Sequence, residues 1–241
     1  MDKKKIGLGA GIAVLAVVLL LGFLGFVPVL SDILGANRGL DLGVKYTKTD
    51  YDSAINKLGI TITPLAPGLP PSDSVVVHGS HIVNQTLTST ELTALENSLS
   101  DTWAYFPFRD SQIRINHDGS VEVQAKLPVD RFDGFAAALK LPDSVKNEFG
   151  SYADLIKTSP SFYMKFTLSI KDGKAQSSIS SLKVGMIDVP ASELAGIQSA
   201  YTSLVQKLAD RSPRVIDELT FGDGSVHIVG TLGNEISLSP P

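Results

Sequence analysis

The sequence predicts an α+β protein: a transmembrane helix at the N-terminus, then a curved antiparallel sheet of hairpins covered on one face by amphipathic helices. Three observations carry that expectation. Residues 6–30, IGLGAGIAVLAVVLLLGFLGFVPVL, contain no charge. Three later stretches turn at Asp-Gly between alternating apolar and polar residues, the signature of hairpins. Three others join a β-type run to a hydroxyl residue, an acid and apolar positions at helical spacing, as a capped helix start requires.

The 25 uncharged residues rise about 1.5 Å each as a helix and so reach across a hydrocarbon core of ~30 Å. Lys3, Lys4 and Lys5 precede them, and the next basic residue is Arg38. The positive-inside rule then makes residues 1–5 a cytoplasmic tail and 6–30 a single-pass anchor in the cell membrane, with everything C-terminal to it extracytoplasmic. A cleaved signal peptide is the alternative, although its apolar region usually spans only about 7–15 residues. The chain has no cysteine, which excludes both a disulfide framework and a lipid-modified cysteine. Net charge is −4, and the first 30 residues hold three lysines against one aspartate, so the exterior part is more acidic still. Phosphate backbones repel such a surface, and nucleic acid is not an expected partner.

Residues 31–62 read as a juxtamembrane strand-helix segment. DLGVKYT is the expected strand, entering a helix over about 50–58 that stops at Gly59. Residues 63–74, TPLAPGLPPSDS, hold four prolines and should form an extended connector, either separating a stalk from the main domain or wrapping along its surface. Residues 75–241 form the expected extracytoplasmic α+β domain. Its hairpins are QIRINHDGSVEVQAKL, SFYMKFTLSIKDGKAQSSI and VIDELTFGDGSVHIVGTL. Phe162, Met164, Phe166, Leu168 and Ile170 alternate with Tyr163, Lys165, Thr167 and Ser169, and Val121, Val123, Ala125 and Leu127 alternate with Glu122, Gln124 and Lys126. Period-2 patterning of this kind makes one sheet face apolar and the other wet.

Helices are expected to cover the apolar face. Leu92, Leu95 and Leu99 form one stripe within LTSTELTALENS; Phe132, Phe135 and Leu139 form another, with Asp130 as N-cap. A short helix is expected over 144–149. The longest runs over 192–209, carrying Leu194, Ile197, Tyr201, Leu204 and Leu208, with Ser192 as cap and Glu193 favourable to the helix dipole.

Chemistry-bearing groups are sparse. His78 and His81 in HGSH point to opposite faces of a strand, whereas zinc needs three or four converging ligands, so neither metal nor cofactor is expected. His117 falls in a turn and His227 on the polar face. The motifs G-x-S-x-G, H-E-x-x-H, the P-loop and the EF-hand loop are absent, and the adjacent Asp217 and Glu218 splay apart on a strand. No nucleophile, base and orienting group assemble from local spacing, so the chain is expected not to be an enzyme and no catalytic residue is assigned. Asn84 begins an N-x-T acceptor sequence. TWAYFPF concentrates Trp103, Tyr105, Phe106 and Phe108, which serve as a core plug, as the mouth of an apolar groove or as a bilayer-interface contact.

The anchor, the junctions LTSTELTALENS and SSLKVGMIDVPASELAGI, and the order of elements over about residues 75–238 resemble the YpmS and LmeA type of membrane-anchored bacterial envelope proteins. Those are regarded as relatives of the tubular lipid-binding fold. The resemblance implies an apolar groove between helix and sheet able to hold an acyl chain, and it carries over no functional residue. Candidate groove residues are Trp103, Tyr105, Phe106, Phe108, Met164, Phe166, Met186, Ile197, Tyr201 and Leu204. The expected function is non-catalytic binding of a lipid or other hydrophobic ligand, with the membrane as partner. The alternative is an envelope structural or adaptor protein acting through contacts with another envelope protein.

Overall fold

The computed structural model describes residues 38–140, 159–210 and 215–241. The expected tail and anchor (1–30) and the helix over 144–149 lie outside the described residues. Among the described residues no helix is long and apolar enough to cross a membrane. What is described is α+β: a large antiparallel sheet, a small three-stranded sheet and four α-helices.

The first two helices start as their sequences require. α1 (Lys48–Leu58) and α2 (Ser89–Thr102) each begin with a reciprocal box, Thr47 with Asp50 and Thr88 with Glu91, in which the hydroxyl and the acid satisfy amides that the first helical turn leaves unpaired. α1 stops at Gly59, whose φ of 64° is left-handed. Two expected caps are corrected. Asp130 lies in a 3-10 turn, Val129–Arg131, and α3 (Phe132–Ala138) starts behind Arg131 without a side-chain cap. α4 (Ala191–Ala209) starts behind Pro190, so Ser192 sits inside the first turn; the extended proline takes the cap position and leaves the serine no cap to make.

All three hairpins form where Asp-Gly marked them: β4 (Arg109–Ile115) with β5 (Val121–Lys126), β6 (Ser161–Lys171) with β7 (Lys174–Val184), and β9 (Val215–Gly222) with β10 (Ser225–Leu232). In the last two, both turn residues have positive φ (Asp172 49°, Gly173 70°; Asp223 49°, Gly224 77°), matching the twist of the strands. The first is a longer turn, closed by the Asn116 amide on the Ser120 carbonyl, with only Gly119 left-handed. Strand β6 is the axis of the sheet. One side pairs along its length with β7; the other pairs first with β5 and then, at Ser169 and Ile170, with β9. The sheet therefore divides into β5–β4 and β9–β10–β3, where β3 is His81–Thr88.

A small sheet completes the fold. β11 (Glu235–Leu238) lies between β1 (Thr61–Pro64), parallel to it, and β2 (Val75–His78), antiparallel. The proline-rich stretch between β1 and β2 wraps around the C-terminal residues: Ser239 Oγ donates to the Ala66 carbonyl and the Ser239 amide to that of Ser74. Trp103 packs here with Leu238 and Ala138, its indole Nε1 donating to Ser74 Oγ at 3.0 Å.

DLGVKYT is a correction, for residues 38–47 form no strand. They cross the face expected to be wet, held by side chains instead of a ladder: the Leu42 amide donates to Gln112 Oε1 at 2.8 Å and Arg114 Nη1 to the Leu42 carbonyl at 3.3 Å. Gly39 crosses over Gln124 so closely that a Cβ there would lie 1.8 Å from its Nε2. Leu42 is buried as a result, and so are Glu122 and Gln124. Burial pushes the Glu122 carboxyl up, but hydrogen bonds from Arg114, Asn116 and Tyr163 outweigh it and hold the acid below its ordinary range. The Tyr163 phenol is pushed up to about 12, by burial first and then by Glu122.

Two edge strands are closed by helices in the same way. Along α2, Ser89, Thr93 and Asn97 recur every fourth residue and meet alternate residues of β4: Ser89 Oγ accepts from the Ile115 amide (2.9 Å), Thr93 Oγ1 from Ile113 (2.9 Å) and Asn97 Oδ1 from Ser111 (3.1 Å). Asn97 Nδ2 also donates to the Ser111 carbonyl at 2.9 Å. On α4, Gln198 and Gln206 repeat the pattern against β7, accepting from the Ile179 and Ala175 amides, while Thr202 between them bonds the Ser177 hydroxyl. Four helical residues advance about 6 Å and two strand residues about 6.8 Å, so the two repeats stay in step over three positions. Each stripe satisfies edge groups that would otherwise invite another chain to pair.

α1 is tied to α2 through Glu91, which accepts from Ser53 Oγ (2.5 Å), from Lys57 Nζ and from the Thr88 amide, while Ala54 is fully buried. Burial pushes Glu91 up, and these partners reverse the effect and hold it low. Glu91→Ala is expected to destabilise the protein by about 2 kcal/mol, from a lost cap and an unpaired Lys57. Urea unfolding at pH 7 checks this; the difference should shrink as pH falls through the lowered range in which the wild-type acid becomes protonated.

Candidate functional site

Helix α2 works on three sides. One stripe closes β4, Glu91 faces α1, and Leu92, Leu95 and Leu99 face the apolar side of the sheet. Glu96 shares that third side, one residue from Leu95 and four from Leu92. It is the residue that sequence patterning missed, and the available signal was an acid interrupting an apolar stripe.

The layer around Glu96 has a floor from β5 and β6, where Val121, Met164 and Phe166 are buried. α4 lies against it, placing the Tyr201 ring edge-on to Phe166 with centroids 5.4 Å apart at 70°. Leu194 and Ile197 of α4 and Leu92 and Leu95 of α2 pack on the same cluster, each only partly buried. Leu204 packs against Ala136 of α3. Of the 19 residues of α4, only Ala209 is buried.

Electrostatics single out two groups here. Burial pushes the Glu96 carboxyl from its ordinary 4.5 up to about 7, and the Ser111 hydroxyl of β4 offsets only part of that. Ser111 shares the apolar side with Ile113 and Ile115, is 3% exposed, and its Oγ completes no hydrogen bond of good geometry. The Tyr201 phenol is pushed above its ordinary value, mainly by burial and also by the charge of Glu96. At neutral pH a partly protonated acid and a protonated phenol thus share an apolar layer. Such groups offer hydrogen bonds to a carbonyl or hydroxyl oxygen in a medium where those bonds are strong.

The other candidate residues are divided. Met164, Phe166, Ile197, Tyr201 and Leu204 belong to this layer or its margin. Trp103, Tyr105 and Phe106 belong to the cluster beside the small sheet, where the Tyr105 hydroxyl donates to the Leu69 carbonyl. Phe108 bridges the two, 5.9 Å from the Phe106 ring and 5.8 Å from that of Phe162. Met186 stands apart, 48% exposed in the turn after β7, because Gly185 reverses the chain away from the helices. His81 is held by Asn234 and the Leu58 carbonyl, His227 by Thr86, and His117 meets Asp223 at the surface. Among the described residues no group of three or more histidines and acids is placed to hold a metal ion.

Comparison with protein-family models, curated proteins and solved structures finds no match to the chain.

Proposed function

We propose that the protein is a non-catalytic binding module for a lipid or other hydrophobic ligand, held at the extracytoplasmic side of the cell membrane by residues 6–30. The observation that carries this reading is the loose fit of α4: its apolar side chains face the sheet, yet all but Ala209 keep part of their surface open. A sealed core buries such a stripe. An acyl chain lying between α4 and the β5–β6 floor would complete the burial, at roughly 25 cal/mol per Å² of apolar surface removed from water. Glu96 and Tyr201 would receive the ligand's oxygen atoms, which gives a half-buried acid a partner. The uncharged stretch of 25 residues supports the membrane location.

Native mass spectrometry of the full chain released from mild detergent tests the reading. A lipid is expected to remain bound at one per chain, and Ile197→Trp, which fills the layer, is expected to reduce occupancy by about ten-fold, the equivalent of roughly 1.4 kcal/mol. Failure to retain any apolar molecule, under conditions where the chain stays folded, overturns it.

A further inference from the structure

A concavity of about 340 Å³ opens where the end of α2 meets the start of β4. Tyr46, Ser100, Asp101, Arg109, Asp110 and Arg131 are among its walls. Backbone irregularity shapes it: Asp110 has a φ of 51°, and the β4–β5 register shifts between Arg109 and Gln112. The Asp110 carboxylate is taken by Lys126 at 2.6 Å.

Arg131 is 9% exposed, yet its guanidinium is poorly spent. Nη1 reaches the Ser100 and Phe106 carbonyls at 3.4 Å each, long for a charged donor. Its Nη2 and Nε make no hydrogen bond among the described residues. Arg109 lines the same cleft with an exposed side chain, and the two cations repel. Asp101 and Asp130 act on Arg131 only from a distance, offsetting part of the positive field without pairing with it. Two like charges thus converge on a polar hollow whose own carboxylates are Asp110, taken by Lys126, and Asp101, which forms no ion pair with Arg131 among the described residues.

We propose that this cleft binds an oxyanion, a phosphate or carboxylate group, gripped by the free edge of the Arg131 guanidinium and covered by Arg109. A planar fork with two parallel N–H donors matches two oxygens of such a group, and partial burial makes each charge-assisted bond stronger than at an open surface. This site is chemically independent of the apolar layer, although α2 borders both: Asn97 and Ser100 line the cleft and Glu96 the layer.

Thermal unfolding and titration of the full chain in an uncharged detergent, with inorganic phosphate as probe, test the proposal. Phosphate is expected to raise the midpoint. Arg109→Gln is expected to weaken phosphate binding about ten-fold and Arg131→Lys by at least as much, since each removes a charge-assisted contact. Lys183→Gln, remote from the cleft, should leave binding unchanged. The Arg109 side chain is exposed and makes no hydrogen bond among the described residues, so its variant carries the test even where the Arg131 variant fails to fold. Short-chain phosphatidic acid and zwitterionic phosphatidylcholine, each competed with phosphate, identify the source: displacement of phosphatidic acid alone points to a lipid headgroup, and binding of phosphate alone to a free anion. Absence of a phosphate effect, or full binding retained by Arg109→Gln, overturns the site. The lipid-retention measurement on Ile197→Trp is unaffected by either result.

Discussion

Replacing Asn97 by leucine is expected to destabilise the protein by about 3 kcal/mol or more and to open its sheet to association. Asn97 is 8% exposed, and its amide serves both the N–H and the C=O of Ser111 on the β4 edge, besides the Thr93 carbonyl. Leucine fits the volume but leaves the buried Ser111 backbone unpaired, at about 1–3 kcal/mol for each orphaned group. For a chain of this size that corresponds to a fall of roughly 6–12 °C in Tm. The half-buried counterpart on α4, Gln206→Leu, should cost less, about 1 kcal/mol, since water can reach the freed Ala175 amide. Thermal unfolding with light scattering measures both. Equal effects from the two variants would show that burial of the edge, which separates them here, is not what decides the loss.

Glu96→Gln is expected to act in the opposite direction, stabilising the protein at pH 7.5 by on the order of 3 kcal/mol. The sign follows from the raised carboxyl. Below about pH 4.5 the acid is protonated in folded and unfolded chains alike and its contribution is complete. As pH rises, the unfolded chain releases the proton near 4.5 and the folded one only near 7, so stability falls across that window and levels off above it. Each unit of difference is worth about 1.4 kcal/mol. Glutamine removes the descending limb. It leaves the acid limb, where Glu91 and Glu122, both held low, lose their contributions as pH falls through their lowered titration range. Chemical unfolding from pH 3 to 8 resolves the two limbs. A wild-type curve that stays flat between pH 5 and 7.5 contradicts the raised Glu96 carboxyl. A bound ligand that accepts from Glu96 should steepen the fall, because it favours the protonated form.

The same pair of residues shows where reading the chain stops. LTSTELTALENS states its cap, Thr88 with Glu91, and its leucine stripe openly, because both arise from neighbours three and four positions apart. It does not state that Ser89, Thr93 and Asn97 will meet a strand edge. That stripe is polar, and polar residues at helical spacing look like a solvated face until a strand is set beside them. Glu96 is hidden for a related reason: an acid next to Leu95 reads as the rim of an amphipathic helix. Only the approach of β4 and of Tyr201 on α4 makes it interior. Likewise Arg109 and Arg131 are 22 positions apart, on different elements, and nothing local pairs them.

The sequence by itself determined the alternating hairpins and their Asp-Gly turns, the capped starts of α1 and α2, and the acidic, cysteine-free character of the chain. All of these follow from backbone preferences and from periodicities that span a few residues. Tertiary structure alone decided that β6 joins two halves of a sheet, that residues 38–47 lie across its polar side, and that the C-terminal strand lies between β1 and β2. It alone placed an acid and a phenol in an apolar layer and the Arg131 guanidinium out of bulk water. Those outcomes depend on contacts between residues far apart in the chain, whose energies come from burial, and burial is a property of the whole packing.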